Sequence, residues 1–344
     1  MSAATAVPTA SDTPSITPLI NLLSAEMARV NATILERMDS KVPLVPQLAG
    51  HLIASGGKRM RPMMTIAGAM LGSDDEAARA PAVKLATAVE FIHSATLLHD
   101  DVIDESKLRR GQDTANALWG NDASVLVGDF LFARAFELMV EAGDMAVLGR
   151  LAAAAARITE GEILQMTITG QPDTPLADYL DVIGGKTAVL FAAAAAAGIE
   201  VTGAPVAHVE ALHSYGMALG MAFQIMDDAL DYSASAAQMG KNAGDDFIDQ
   251  KITLPVILAW QDASGDERGF WQRTLGEAGF RDGDLAAAQA ILARHDAVNR
   301  SIAAAHDHAV KAGAALAPFM DDDRTAPLAR ALADAALFAA HRAS

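Results

Sequence analysis

Cysteine is absent from the 344 residues, which excludes disulfides, thiolate catalysis and cysteine-ligated metals and is compatible with a reducing, cytoplasmic setting. Positive charge is in deficit: 26 lysines and arginines face 43 aspartates and glutamates, for a net charge of −17. A nucleic-acid partner is therefore not expected, because phosphate backbones are bound by excess positive charge. Aromatic residues are scarce at 5%, although 51% of the chain is apolar. That mixture, with its alanine runs, favours close packing of helices. No hydrophobic run reaches membrane length: Thr187 to Ile199 (TAVLFAAAAAAGI) is bounded by Lys186 and Glu200, short of the roughly 20 residues a span requires. It reads as a core helix, and no transmembrane segment is expected. Residues 1–16 (MSAATAVPTASDTPSI) have neither a basic start nor a long apolar stretch, so they read as a flexible tail and not as a secretory signal.

What is present is helical. Apolar residues recur at spacings of three and four from Pro18 onward, with no sustained alternation of period two. Helices are expected from Ala82 to Asp104, opened by Pro81 at the first turn, and from Val209 to Tyr232, with no strand anywhere. Asp262 to Asp284 is polar and contains glycine, and it reads as a surface connection. Length alone allows two domains at ~150 residues each, but no sharp linker divides the chain, so a single helical domain over 17–344 is the expectation.

Each of the two long helices ends in the same acidic pattern. Asp100, Asp101 and Asp104 sit at i, i+1 and i+4, which puts Asp100 and Asp104 one turn apart on one face. Like charges so placed cost a helix roughly 0.2–0.5 kcal/mol per pair, and the apolar sequence before them raises that cost. Asp227, Asp228 and Asp231 repeat the spacing, with Gln224 one turn earlier. One such cluster reads as a solvated helix end. Two identical clusters read as a shared site for hard dications, since magnesium takes one or two carboxylates and fills its shell with water and substrate phosphates.

Such a site needs cations for the remaining phosphate oxygens. Gly57, Lys58, Arg59 and Arg61 form a basic segment, and Arg109 with Arg110 follow the first acidic cluster. Lys186, Lys241 and Lys251 are dispersed further along. Arginine suits bidentate phosphate contacts and lysine acts as a point charge. His93 lies two helical turns before Asp100.

In the order GGKRMRP, EFIHSATLLHDDVIDESKLRRG, SVLVGDFLFARAF, GGKTAVLF, FQIMDDALD and GKNAGDDFIDQKITLP, the chain resembles the trans-isoprenyl diphosphate synthases, and within them the long-chain polyprenyl synthases. The resemblance covers residues 56 to about 258. It implies an all-α fold, a single-domain orthogonal helical bundle of the isoprenoid synthase type around a central cavity. The implied activity is magnesium-dependent condensation of isopentenyl diphosphate with an allylic diphosphate, giving a long all-trans polyprenyl diphosphate used as a quinone side-chain precursor. Carried over by position, the catalytic set is Asp100, Asp101, Asp104, Asp227, Asp228, Asp231, Lys186 and Lys251. Magnesium falls on Asp100, Asp104, Asp227 and Asp231. Isopentenyl diphosphate falls on Gly57, Lys58, Arg61, His93 and Arg110, and the allylic diphosphate on Arg109, Lys186, Thr187, Gln224, Lys241 and Lys251. Ala95 and Thr96 form the floor of the product tunnel, where small residues imply a long product. A homodimer is also implied. Gln250 departs from the family, which has glycine before the lysine of this segment. Competing readings are a shorter-chain farnesyl or geranylgeranyl synthase, a noncatalytic subunit of a heteromeric synthase, a terpene cyclase, and a phosphohydrolase built on His99 and Asp100.

Overall fold

The computed structural model describes residues 14–54, 57–109, 111–233, 244–277 and 279–341. The proposed N-terminal tail up to residue 13, together with Arg110 and Lys241, lies outside them. The helices are α1 (Thr17–Arg37), α2 (Leu44–Ala54), α3 (Met60–Gly72), α4 (Glu76–Arg79), α5 (Pro81–Ile103), α6 (Ala115–Trp119), α7 (Asn121–Ala142), α8 (Met145–Ile168) and α9 (Leu176–Ile183). They continue with α10 (Val189–Glu200), α11 (Val206–Asp231), α12 (Asp245–Ile248), α13 (Leu254–Asp262), α14 (Gly265–Gln272), α15 (Asp284–Arg294), α16 (Ala297–Ala315) and α17 (Ala326–Ala340). The all-α expectation holds.

The centre is α10. Every residue from Leu190 to Ile199 is buried, and α3, α5, α8 and α11 pack around it. A helix buried on all sides needs small residues at its contacts, and the chain supplies them on both partners. Gly216 and Gly220 of α11, one turn apart, lie against the backbone of Phe191 and Ala188, where any Cβ would collide. One contiguous set of buried apolar side chains runs from Ile16 to Ala340. Ile16, assigned to the tail by sequence, belongs to that core.

The apolar stretch at Thr187 proves longer than its sequence implied. α9, a π-helical turn over Gly184–Ala188 and α10 form one helical run, Leu176–Glu200, whose 25 residues are long and apolar enough to cross a membrane. Its most apolar window is 83% buried inside the protein, so protein neighbours cover it.

Two local expectations are corrected. A two-strand antiparallel ladder pairs β1 (Leu108–Arg109) with β2 (Gln112–Asp113), in the register Leu108↔Asp113 and Arg109↔Gln112. It is too short to produce a period-two pattern, although Gly111, at φ 76°, supplies the turn conformation that glycine adopts at least cost. The surface connection expected after Asp262 contains α14, whose Trp271 is fully buried, as is Leu275 just beyond it. Its signal is Ser264 and Glu267, which cap each other's backbone at the helix start, the S-x-x-E arrangement that marks a helix N-terminus.

Candidate active site

Both acidic clusters sit at the C-terminal ends of their helices. α5 stops at Asp104, after which Glu105 turns left-handed at φ 50°, and α11 stops at Asp231. The helix dipole makes such ends partially negative, so it adds to the repulsion among the carboxylates. Cations therefore gather there.

Lys251 joins the two clusters. Its Nζ lies 3.1 Å from Asp104 Oδ2 and 3.1 Å from Asp249 Oδ2. Its backbone N–H donates to Asp246 O at 2.8 Å, and the Asp246 N–H donates to Asp231 Oδ2 at 3.1 Å. Residues 104 and 231, on different helices, are thus linked through one short segment. Burial would lower the Lys251 pKa, but Asp246, Asp104 and Asp249 prevail and raise it.

A second bridge runs through the π-helical turn. Lys186 Nζ lies 2.8 Å from the Glu162 carboxylate of α8. Gly161 permits the approach, since a Cβ there would stand 2.5 Å from the Lys186 backbone nitrogen. Burial pushes Asp100 up to about 7, Glu162 and Asp104 reinforce the shift, and Lys186 and Arg109 oppose it. Next to Lys186, the Thr187 hydroxyl donates to Gln224 Oε1 at 2.9 Å. Gln224 Nε2 donates to Asp228 Oδ1 at 2.7 Å, and the Tyr179 hydroxyl donates to Asp228 Oδ2 at 2.7 Å. Asp228 is 4% exposed. Burial, together with Asp246 and Asp227, pushes it up to about 8 against the pull of those hydrogen bonds.

The six aspartates do not play one part. Asp101 is buried and receives Arg109, with Nη2 at 2.7 Å and Nε at 3.0 Å from Oδ1, while its carbonyl accepts from Asn116. The first cluster thereby fixes the ladder that carries Arg109, and Arg109 meets a protein carboxylate. Asp228 is likewise spent on protein partners, and Asp231 accepts from the Asp246 N–H in the first turn of α12. Asp104 bonds Lys251 and Asp100 lies in the field of Lys186, while Asp227 precedes Asp228 on the second cluster. Among the described residues no three acidic or histidine side chains form a group that could enclose a metal ion.

The remaining predicted residues form a neighbouring group. Arg61 Nη1 stands 3.2 Å from His93 Nε2 and its guanidinium lies 4.2 Å from the centre of the Phe191 ring, while Lys58 Nζ lies 4.2 Å from that of Phe338. Gly57 is exposed just ahead of them. Cation–ring contacts orient such side chains without neutralising their charge. Ala95 is fully buried, and the Thr96 hydroxyl donates to the His93 carbonyl at 2.8 Å. His99 turns away from Asp100, to the carbonyl of Val125 at 3.1 Å and the carboxylate of Asp129 at 3.5 Å, both on α7, which removes the geometric basis of the phosphohydrolase reading. Sequence reasoning missed Glu162, Tyr179 and Phe338, since no short motif marks residues that meet the site only through packing, and it carried Phe191 only as the end of GGKTAVLF.

A helical bundle that ends two aspartate-bearing helices at one lysine-bearing segment is the framework of a trans-prenyltransferase. The sequence matches the polyprenyl synthetase family over residues 42–292, and the chain belongs to that family. It is 40% identical over 302 residues to octaprenyl diphosphate synthase of Haemophilus influenzae, covering 88% of this chain and 90% of that one. Among solved structures it resembles a polyprenyl synthase from Caulobacter crescentus complexed with calcium and isoprenyl diphosphate. The TM-score is 0.90 at 47% identity, over 97% of this chain and 100% of that one. It also resembles a decaprenyl diphosphate synthase from Rhodobacter capsulatus, at TM-score 0.89 and 47% identity, over 96% and 100% of the respective chains.

Proposed function

We propose that the protein, acting as a single-domain homodimer in the cytoplasm, extends an allylic prenyl diphosphate with isopentenyl diphosphate into a long all-trans product of the octaprenyl to decaprenyl type, a quinone side-chain precursor. The observation that carries this reading is the Asp104–Lys251–Asp246–Asp231 chain, which brings both acidic clusters to one place. The relatives' names supply the product class.

Magnesium is the cation assigned to Asp100, Asp104, Asp227 and Asp231. The residues fit it: carboxylates are its preferred donors, few are required when phosphates complete the shell, and Asp100 is a half-buried acid whose charge lacks full compensation. Bound magnesium supplies Lewis-acid stabilisation of the charge that develops on departing pyrophosphate. Lys186 and Lys251 add fixed positive charge at the same place. As the allylic carbon–oxygen bond breaks, the double bond of isopentenyl diphosphate, held by Lys58, Arg61 and His93, attacks that carbon. A proton then leaves the new chain, with the released pyrophosphate as the base. The surrounding apolar residues exclude water, which would otherwise quench the cation.

The test is mass spectrometry of products formed by the purified protein from farnesyl diphosphate, isopentenyl diphosphate and magnesium. Octaprenyl to decaprenyl diphosphate is expected. A farnesyl or geranylgeranyl product would assign the shorter-chain activity, and no product from the protein alone would assign a noncatalytic subunit.

A further inference from the structure

The Tyr179 hydroxyl is a buried donor with no part in the chemistry just described. Tyr179 belongs to α9 and is 2% exposed; its oxygen lies 2.7 Å from Asp228 Oδ2. From there a continuous series of hydrogen bonds runs to the substrate side of the site. Asp228 Oδ1 receives Gln224 Nε2, and Gln224 Oε1 receives the Thr187 hydroxyl. We propose that Tyr179 is a positioning residue for the allylic diphosphate subsite, acting on Thr187 and the adjoining Lys186 through Asp228 and Gln224. The inference rests on the prenyltransferase reading of that subsite.

The physical argument concerns the Gln224 amide. Its terminal torsion is broad and roughly two-fold, so nothing intrinsic decides which end faces Thr187. The decision is made by Asp228, which accepts from nitrogen and thereby turns the carbonyl toward Thr187. Asp228 in turn has carboxylate freedom about its own terminal torsion, and Tyr179 removes it by holding the second oxygen. α9 runs straight into the π-helical turn that carries Lys186 and Thr187, and such wide turns recur at functional sites. One helical run therefore contributes both the first and the last member of the series, while α11 contributes the two between them.

The experiment is a double-mutant cycle between Tyr179→Phe and Thr187→Val, two residues whose link passes through Gln224 and Asp228. Two quantities are read: affinity for a non-reactive thiolo analogue of farnesyl diphosphate with magnesium, by calorimetry, and kcat with the KM for isopentenyl diphosphate. Tyr179→Phe should weaken the analogue about tenfold and lower kcat, with the isopentenyl KM unchanged. The double variant should be no worse than Thr187→Val alone, because both break one series. Thr187→Ser, which keeps the hydroxyl, should restore most of the affinity. Multiplicative losses in the double variant, or wild-type affinity in Tyr179→Phe, would overturn the proposal. A loss confined to thermal stability would also overturn it, since that reports packing alone. Failure of the underlying reading would look different: the wild-type protein would neither bind the analogue nor turn over.

Discussion

At the scale of single residues, the site is an acidic cluster held together by borrowed cations, and proton affinity is its measurable property. Asp100 and Asp228 carry pKa values of about 7 and about 8 in the folded chain, against an ordinary value near 4. The folded state therefore holds more protons than the unfolded state between those limits, and stability must fall as pH rises through that window. Metal-free protein should lose on the order of 2–3 kcal/mol between pH 6.5 and 8.5, read from denaturant midpoints in a chelator. Burial lowers the pKa of His213 and His308, so their effect lies on the acid side of this range. Asp228→Asn should flatten the slope, and an unchanged slope would place the titrating group elsewhere. Gln250 is a second residue-scale case. It stands at φ 58°, a conformation that costs an L-residue roughly 1–2 kcal/mol and glycine little, and its carbonyl accepts from Gly170. Gln250→Gly should keep the backbone path to Lys251 and stabilise by up to ~1 kcal/mol after the entropic cost of glycine. Gln250→Ala, lacking both the relief and the side chain, should not. Thermal midpoints of the two variants decide it.

At the scale of elements, function depends on how closely helices approach. Gly161→Ala would place a methyl group against the Lys186 backbone nitrogen, and overpacking of this kind costs typically about 1–3 kcal/mol. Because the displaced backbone carries Lys186, the expected result is a kcat loss of at least about tenfold at unchanged isopentenyl KM, a 1 Å misplacement being worth up to ~10²-fold. On α5, Ala95→Tyr tests the tunnel floor. Ala95 is fully buried, so the new ring either fills a product channel or breaks packing. Shorter products with a thermal midpoint close to wild type would establish the channel. Unchanged product length would remove Ala95 from it, and a collapsed midpoint would identify ordinary core. The elements also show how far sequence could be read. The ends of α5 and α11 were legible because apolar periodicity stops where the aspartates begin. α14 was passed over because charged residues hide its buried Trp271, although its capping box was available. The π-helical turn at Gly184 was not legible at all: one extra residue in a turn changes no composition and little periodicity.

At the scale of the whole molecule, the surface carries an unevenly placed apolar face. On α7, Val125, Leu126, Phe136 and Val140 are exposed at 38%, 67%, 45% and 65%, and at 3.6 residues per turn they fall on one side of the helix. Ile163 and Met166 of α8 are exposed at 57% and 63%. Apolar patches of this kind mark association surfaces, and a second copy of the chain is the partner proposed above. Phe136→Glu together with Leu126→Glu should shift the protein from dimer to monomer in light scattering, leaving its helical content intact. A variant that remains dimeric would move the interface elsewhere.

The sequence by itself determined the helical class, the paired acidic clusters, the basic residues meant to oppose them and the family to which they belong. These are local matters: periodicity, spacing and charge are written along the chain and need no partner to be read. Only tertiary structure decided which aspartate faces which cation, that Asp101 holds Arg109, that Asp228 is locked between Gln224 and Tyr179, and that Glu162 reaches Lys186. The reason is physical. A carboxylate's role depends on its burial and on the donors that reach it, and those range from near neighbours such as Arg109 and Gln224 to Tyr179, 49 residues from Asp228, and Lys251, 147 residues from Asp104, which only folding brings close.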